Sequence, residues 1–324
     1  MTSHGDPNFP SDLDIHPLLD ASASSDSRFD SCAQREAIES YGIAGRIWEA
    51  SHAMLAYLDS SSQPQLEFDP PAFTHECPRT PVLAIELGSG NGFLATHLSK
   101  WLQPDYDLLV ATDLPEVCPL LDANLSGSAA VLVRPLAWGS SDQATSVLSD
   151  LSTFASSEDG REVLPRQPTH ILCSDLIYFP ALLAPLLRSL LHLTSIPTPA
   201  PDLTDSRSPP LVIISYKIRS LAKETPFWHA FGLFFEFSPV LSRTRRNDQG
   251  SSSQEQVEES WVKFSPGDDL DETFVFIAKR KRESLLWKIP EEDSALLAGV
   301  GADGTSSPKS DDQFEQLLLM GMDV

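Results

Sequence analysis

Cysteine is scarce in this 324-residue sequence, and what there is does not cluster. Cys32, Cys77, Cys118 and Cys173 stand at least 41 residues apart with no C-x-x-C pair. That pattern argues against a structural zinc or iron–sulfur site and against a disulfide framework, and it fits a reducing compartment. Long apolar runs are also missing. The most apolar stretch, Phe227 to Phe237, is eleven residues long and includes His229 and Glu236, too short and too polar to span a bilayer. The opening MTSHGDPNFPSDLD has neither a basic n-region nor an apolar h-region, so no signal peptide is expected. These absences predict a soluble, cytoplasmic protein. Basic charge is in short supply as well: 23 Lys and Arg against 46 Asp and Glu give a net charge of −23 and a pI near 4.5. Residues 1–40 carry −6 and residues 283–324 carry −7, which leaves −10 for the rest. Nonspecific nucleic-acid affinity comes from Lys and Arg displacing counterions, so nucleic acid is disfavoured and a basic partner suits the chain better.

What is present is a chain long enough for one sizeable domain, with 41% hydrophobic and 21% charged residues. Residues 1–36 are acidic, rich in Ser, Asp and Pro, and without periodicity, which predicts a disordered N-terminal segment. Apolar residues at helical spacing predict a helix from Ile38 to Leu58, before Pro64, Pro70 and Pro71. Strands are expected at 82–87 (VLAIEL), 107–113 (DLLVATD), 129–135, 169–175 (THILCSD) and 211–216 (LVIISY), with helices at 93–101, 115–125 and 181–193 between them. This alternation predicts a doubly wound, mostly parallel α/β sheet with helices on both faces. Two further strands, at 233–241 and 272–280, would close it as an antiparallel pair. Stretches 140–168, 195–210 and 243–260 read as surface loops. Residues 37–282 form the expected domain, and 283–324 an acidic, largely irregular tail ending in the apolar segment FEQLLLMGM, which either docks on something or, as the commoner case, is a frayed terminal helix. No internal repeat is visible.

The segment Glu86-Leu87-Gly88-Ser89-Gly90-Asn91-Gly92 carries the most chemical information. Alternating glycines let the backbone turn sharply and approach a ligand, and the following helix aims its N-terminal amides into the same space. The dinucleotide fingerprint G-x-G-x-x-G is the rival, but here the spacing is G-x-G-x-G and Phe93 stands where a small residue is wanted. Glu86 would repel a diphosphate and suits a cofactor with a cationic head. Asp113, 25 residues beyond Gly88, ends the next strand, where a carboxylate can accept both hydroxyl protons of a ribose. NAD and S-adenosylmethionine both have that ribose, and a helix N-cap is the alternative use of this acid.

ELGSGNG, followed by TDLPEVCPLLDANL and SDLIYF, with GRIWEASHAMLAYL upstream and VRPLAWGS after the third strand, resembles the seven-β-strand S-adenosylmethionine-dependent methyltransferases. More narrowly it resembles their protein-lysine methyltransferase branch, methyltransferase family 16. The resemblance covers roughly residues 38–282. It implies a Rossmann-like seven-stranded sheet with an antiparallel C-terminal pair, S-adenosyl-L-methionine as cofactor, and transfer of a methyl group to a lysine on a protein substrate. Carried over by position, it implies that Trp48 borders the methionine part of the cofactor and that Gly88, Ser89 and Gly90 pass beneath it. It places Asp113 on the ribose hydroxyls, Trp138 on the adenine, and a backbone contact at Ser174. Residues 216–240 look like those of fungal lysine methyltransferases that modify translation elongation factor 1-alpha. A monomer is favoured.

Asp175-Leu176-Ile177-Tyr178 resembles the family's D-x-x-Y motif, whose acid faces the target lysine, and it lies where the fourth strand ends. Ligands of open α/β sheets gather along that carboxyl edge. Asp175 would orient the arriving ammonium and Tyr178 would offer a ring face or a hydroxyl. Methyltransferases of exocyclic base amines or glutamine amides usually show N/D-P-P-Y/F at this point; Leu176 and Ile177 replace both prolines. Lys217 and Arg219 either meet an acidic patch around the target or are solvated loop charges. The open alternatives are a small-molecule or nucleic-acid methyltransferase, a non-catalytic interaction protein keeping the cofactor fold, and an NAD-dependent oxidoreductase.

Overall fold

The computed structural model describes residues 14–18, 26–59, 63–72, 81–153, 167–195, 209–245, 260–265 and 273–320. The chain runs α1 (Ser31–Tyr41), α2 (Glu49–Leu58), β1 (Leu66–Asp69), β2 (Leu83–Leu87), α3 (Phe93–Leu98), β3 (Leu108–Asp113), α4 (Cys118–Leu125) and β4 (Val131–Pro135). It continues through α5 (Ser141–Thr153), β5 (His170–Ser174), α6 (Pro180–Leu193), β6 (Leu211–Lys217), α7 (Leu221–Phe234) and β7 (Phe235–Pro239). Last come β8 (Leu241–Thr244), β9 (Val262–Lys263), β10 (Thr273–Arg280), α8 (Asp293–Leu297) and α9 (Gln313–Met320).

Seven strands form one sheet in the order β4-β3-β2-β5-β6-β10-β7. The first five are parallel, and β10 runs antiparallel to both β6 and β7. From β2 the chain winds outward to β3 and β4, then crosses back to β5 and β6. The switch therefore falls between β2 and β5, which leaves a crevice at their carboxyl ends. The alternation within each strand explains the layers. Leu83, Ile85, Leu108 and Val110 pack with α5, α6 and α7 in one buried cluster. Ala84, Leu109 and Ala111 pack with α2, α3 and α4 in another. Both faces are covered, as the unbroken apolar strands require.

Five expectations need correction. The helix from Ile38 to Leu58 is two helices: Gly42 takes φ +56° and ψ −129°, a one-turn 3-10 segment follows to Gly45, and α2 restarts after Trp48. The N-terminal boundary at 36 falls inside α1, and Phe29 joins Ile47 and Phe93 in a small core of its own; residues 1–13 lie outside the described residues. The loop expected over 140–168 contains α5, whose Ala144, Val147 and Leu151 are buried one turn apart. A second small sheet, β1-β8-β9, was not expected. It pairs Leu66–Asp69 with Leu241–Thr244, within stretches read as a proline break and the edge of a serine loop. Residues 154–166, 196–208 and 246–259 of the three expected loops lie outside the described residues.

The fifth correction is the tail. It wraps the α6–α7 face, with α8 and α9 held there. Phe314 is fully buried and stacks on Trp228 at 4.6 Å between centroids and 7° between planes. His229 pairs through Nε2 with Glu315 at 2.5 Å, and Arg188 donates to the Glu291 carbonyl and to Asp293. α7 carries Pro226 within the helix. No helix among the described residues is long and apolar enough to cross a membrane.

Candidate active site

A cavity of about 330 Å³ opens at the carboxyl ends of β2, β3 and β5. Trp48, Glu86, Gly88, Ser89, Gly90, Asp113, Trp138, Ser174, Asp175 and Tyr178 all line it. The fold thus gathers these ten residues, from segments up to 130 positions apart, around one space with Arg219, whereas Lys217 lies outside the lining.

The floor is the loop after β2. Gly88 and Gly90 have φ of +58° and +55°, which an L side chain adopts only at a cost. A Cβ on Gly88 would lie 2.8 Å from Leu176 Cδ2 and 3.1 Å from Trp138 Cζ2, and one on Gly90 would lie 2.9 Å from the Ala44 carbonyl oxygen. The loop is tied into the protein by its own amides. Ser89 N donates to the Thr112 carbonyl, Gly90 N to Asp113 Oδ2, Gly92 N to the Ser89 carbonyl, and Phe93 N to Asn91 Oδ1. Amides engaged in this way cannot cradle a diphosphate, so the geometry speaks against the dinucleotide reading.

Glu86 is buried at the end of β2, and its Oε2 has no hydrogen-bond partner. Burial pushes its carboxyl up to about 8; Ser89 pulls it down and nearby Asp113 pushes it further up. A carboxyl in that state is mostly protonated at neutral pH, and a cation placed beside it would favour the ionised form. Asp113 is raised to about 6 by burial, opposed by the amides of Gly90 and Leu114. Each of its oxygens accepts one of those amides and keeps a second lone pair. It does not cap α4, which starts at Cys118.

The N-terminal helices form the lid side of the cavity. Asn91 Nδ2 donates to the Gly45 carbonyl at 3.2 Å, and Trp48 Nε1 donates to the Ile43 carbonyl at 3.0 Å. Two guanidinium groups lie over the Trp48 ring, Arg46 at 4.2 Å and Arg219 at 5.2 Å from its centroid. Opposite, Trp138 and Tyr178 meet edge to face at 6.3 Å. Burial pushes the Tyr178 phenol above its ordinary range.

Asp175 sits just past β5 with φ +61°. Its amide donates to the Ser215 carbonyl, which fixes the turn that aims its side chain into the cavity. Arg219 holds both of its oxygens, Nη2 to Oδ2 at 2.5 Å and Nη1 to Oδ1. Burial raises the Asp175 carboxyl, and Arg219 draws it back. Arg219 is therefore neither a solvated loop charge nor free to meet an acidic patch in this state. Sequence reading did not foresee Arg46, Glu49 or Asn91 as parts of the site. Arg46 and Glu49 flank Trp48 in GRIWEAS, and Asn91 sits inside GSGNG, so proximity to those motifs was the available signal.

An open doubly wound sheet with a glycine loop and two acids, Glu86 and Asp113, at its switch point is a Rossmann-like fold. The chain belongs to the lysine methyltransferase family, whose model matches residues 33–230. No curated protein matches it. Similar solved structures include the CurJ carbon methyltransferase, at 12% identity over 78% of this chain and 68% of that one with a TM-score of 0.39. Another is the O-methyltransferase TomG from Streptomyces achromogenes, solved with S-adenosylmethionine, at 11% identity, 77% and 89% coverage and a TM-score of 0.37.

Proposed function

We propose that this protein uses S-adenosylmethionine to methylate the ε-amine of a lysine on a protein substrate. The observation that carries the reading is Glu86, buried with an orphaned Oε2, lining the same cavity as Asp175 and Tyr178, in a member of the lysine methyltransferase family. Glu86 supplies the acceptor for the cofactor's ammonium. Asp113 offers the remaining lone pairs of its two oxygens to the ribose hydroxyls, Trp48 borders the methionine part, and Trp138 packs on the adenine. When bound, S-adenosylmethionine supplies a methyl group on a positively charged sulfur that departs as a neutral thioether. The protein must then hold a neutral amine in line with that methyl. Asp175 draws the lysine in and orients its N–H bonds, Tyr178 walls the channel, and burial of Asp175 keeps water from competing. The lysine ammonium gives up one proton to water before the amine's lone pair attacks the methyl carbon, and the product is a methylated ammonium.

Translation elongation factor 1-alpha is the first acceptor to test, and a cytoplasmic setting belongs to the same reading. Two measurements test it. Calorimetry should show binding of S-adenosylmethionine and none of NAD; the reverse would end the reading. Label transferred from the cofactor to a cell extract should be removed by protease and survive nuclease. Label lost to nuclease, or found only on small molecules, would contradict it.

A further inference from the structure

The carboxylate that the lysine must reach is already bonded along its accessible edge. Arg219 takes both oxygens of Asp175, whose side chain is 0% exposed, while 29% of the Arg219 side chain reaches solvent. A fork of two parallel N–H donors and an ammonium cannot share the same edge of one carboxylate. Arg219 therefore stands where the lysine ammonium would dock and has to yield when it arrives.

Where the guanidinium can go is set by its neighbours. Glu49, at the start of α2, lies 3.5 Å from Arg219, but it already holds Arg46 at 3.0 Å and has Lys217 at 3.8 Å. In the free protein, Arg46, Lys217 and Arg219 share the carboxylates of Glu49 and Asp175. Glu224 also acts on Arg219, but its oxygens are taken by the Tyr216 hydroxyl and by the amides of Arg219 and Ser220. When a substrate lysine claims Asp175, the three cations outnumber the two remaining carboxylates by one. Arg219 gains a partner of equal quality only if the substrate provides one.

We propose that Arg219 is the specificity-determining residue of the acceptor site. It holds Asp175 until a lysine arrives, then binds a carboxylate that the substrate carries beside that lysine. The substrates are then lysines with an aspartate or glutamate close in space, about two positions away in an extended segment or about four on a helix. The exchange keeps one guanidinium–carboxylate pair at every stage, so neither Asp175 nor Arg219 is left unpaired. Trp48, against which Arg219 already lies, gives the released side chain a flat surface to pivot on.

This inference rests on lysine methyl transfer, and the experiment separates the two. The full-length protein is incubated with labelled S-adenosylmethionine and total cell protein, and methylated lysines are located by mass spectrometry. Each should have an acidic residue within that reach. The best substrate is then altered at that acid, to Gln and to Lys, and assayed with the wild type, Arg219→Gln and Arg219→Glu. With the wild type, losing the acid should raise KM about tenfold, with kcat much less affected. Arg219→Gln should be indifferent to the change, and Arg219→Glu should favour the substrate carrying Lys there. Calorimetric affinity for the cofactor, within a few-fold of wild type, verifies that each variant is folded. Methylated lysines without acidic neighbours, or an equal response of wild type and Arg219→Gln, overturn the role of Arg219 and leave lysine methylation standing. No methyllysine at all overturns both.

Discussion

Replacing Glu86 by Gln should make the protein more stable at alkaline pH and weaker in cofactor binding at the same time. The side chain is buried, one oxygen has no partner, and the carboxyl is pushed from 4.5 up to about 8. For an acid raised in this way, the stabilising protonated form is fully present below pH 4.5, and its contribution is lost as pH rises through about 8. At 1.36 kcal/mol per pH unit, that window corresponds to a loss on the order of 4–5 kcal/mol, or roughly 10 °C in Tm for a domain of this size. Glu86→Gln preserves the shape and removes the titration. Thermal denaturation of both proteins from pH 5 to pH 9, without cofactor, should give nearly equal Tm at pH 5. Above that the curves should separate, with the variant higher by several degrees at pH 9. S-adenosylmethionine should then raise the wild-type Tm more at pH 8 than at pH 6, and raise the variant's far less at either. Parallel profiles, or a variant less stable than wild type across the range, would refute the assignment of Glu86 as a carboxyl that waits for a cation.

Binding of S-adenosylmethionine at pH 7 should release close to one proton, because a carboxyl at about 8 is ~0.9 protonated there when free and ionised once paired. Calorimetry in buffers of differing ionisation enthalpy measures it. Asp175→Asn should lower kcat by roughly 10²–10⁴-fold while cofactor affinity stays within a few-fold, in single-turnover assays and calorimetry. Gly90→Ala places a Cβ 2.9 Å from the Ala44 carbonyl at φ +55°. It should cost about 1–3 kcal/mol in urea denaturation and weaken cofactor binding. Phe314→Ala removes the ring stacked on Trp228 and should destabilise the fold by about 3–5 kcal/mol; an unchanged urea midpoint would mean that the tail is not part of the core.

The parallel strands were legible because a strand covered on both faces is written as an unbroken apolar run, as in LVIIS at 211–215. The glycine loop and its flanking acids were legible because their chemistry is local. What escaped was structure made by partners far along the chain. α5 is mostly Ser, Thr and Asp on its outer face, and three small buried positions, Ala144, Val147 and Leu151, decide its fate only once α6 is beside it. β1 is four residues long and is a strand because Leu241–Thr244 lies opposite. The tail is polar by composition, yet Phe314 finds a slot between Trp228, Tyr216 and Phe276. In the site, Trp48, Asp113 and Asp175 were named from their motifs. The Asp175–Arg219–Glu49 chain joins residues up to 170 positions apart and is written in no contiguous stretch.

The most direct test of the central claim is the chemical identity of the methylated product. After transfer from labelled S-adenosylmethionine to its protein substrate, the acceptor is hydrolysed to amino acids and the label separated. The account expects it in ε-N-methylated lysine, and loss of that label with Asp175→Asn. Label in methylated arginine, histidine or a carboxyl ester, or methyllysine formed undiminished by the Asp175 variant, would contradict it.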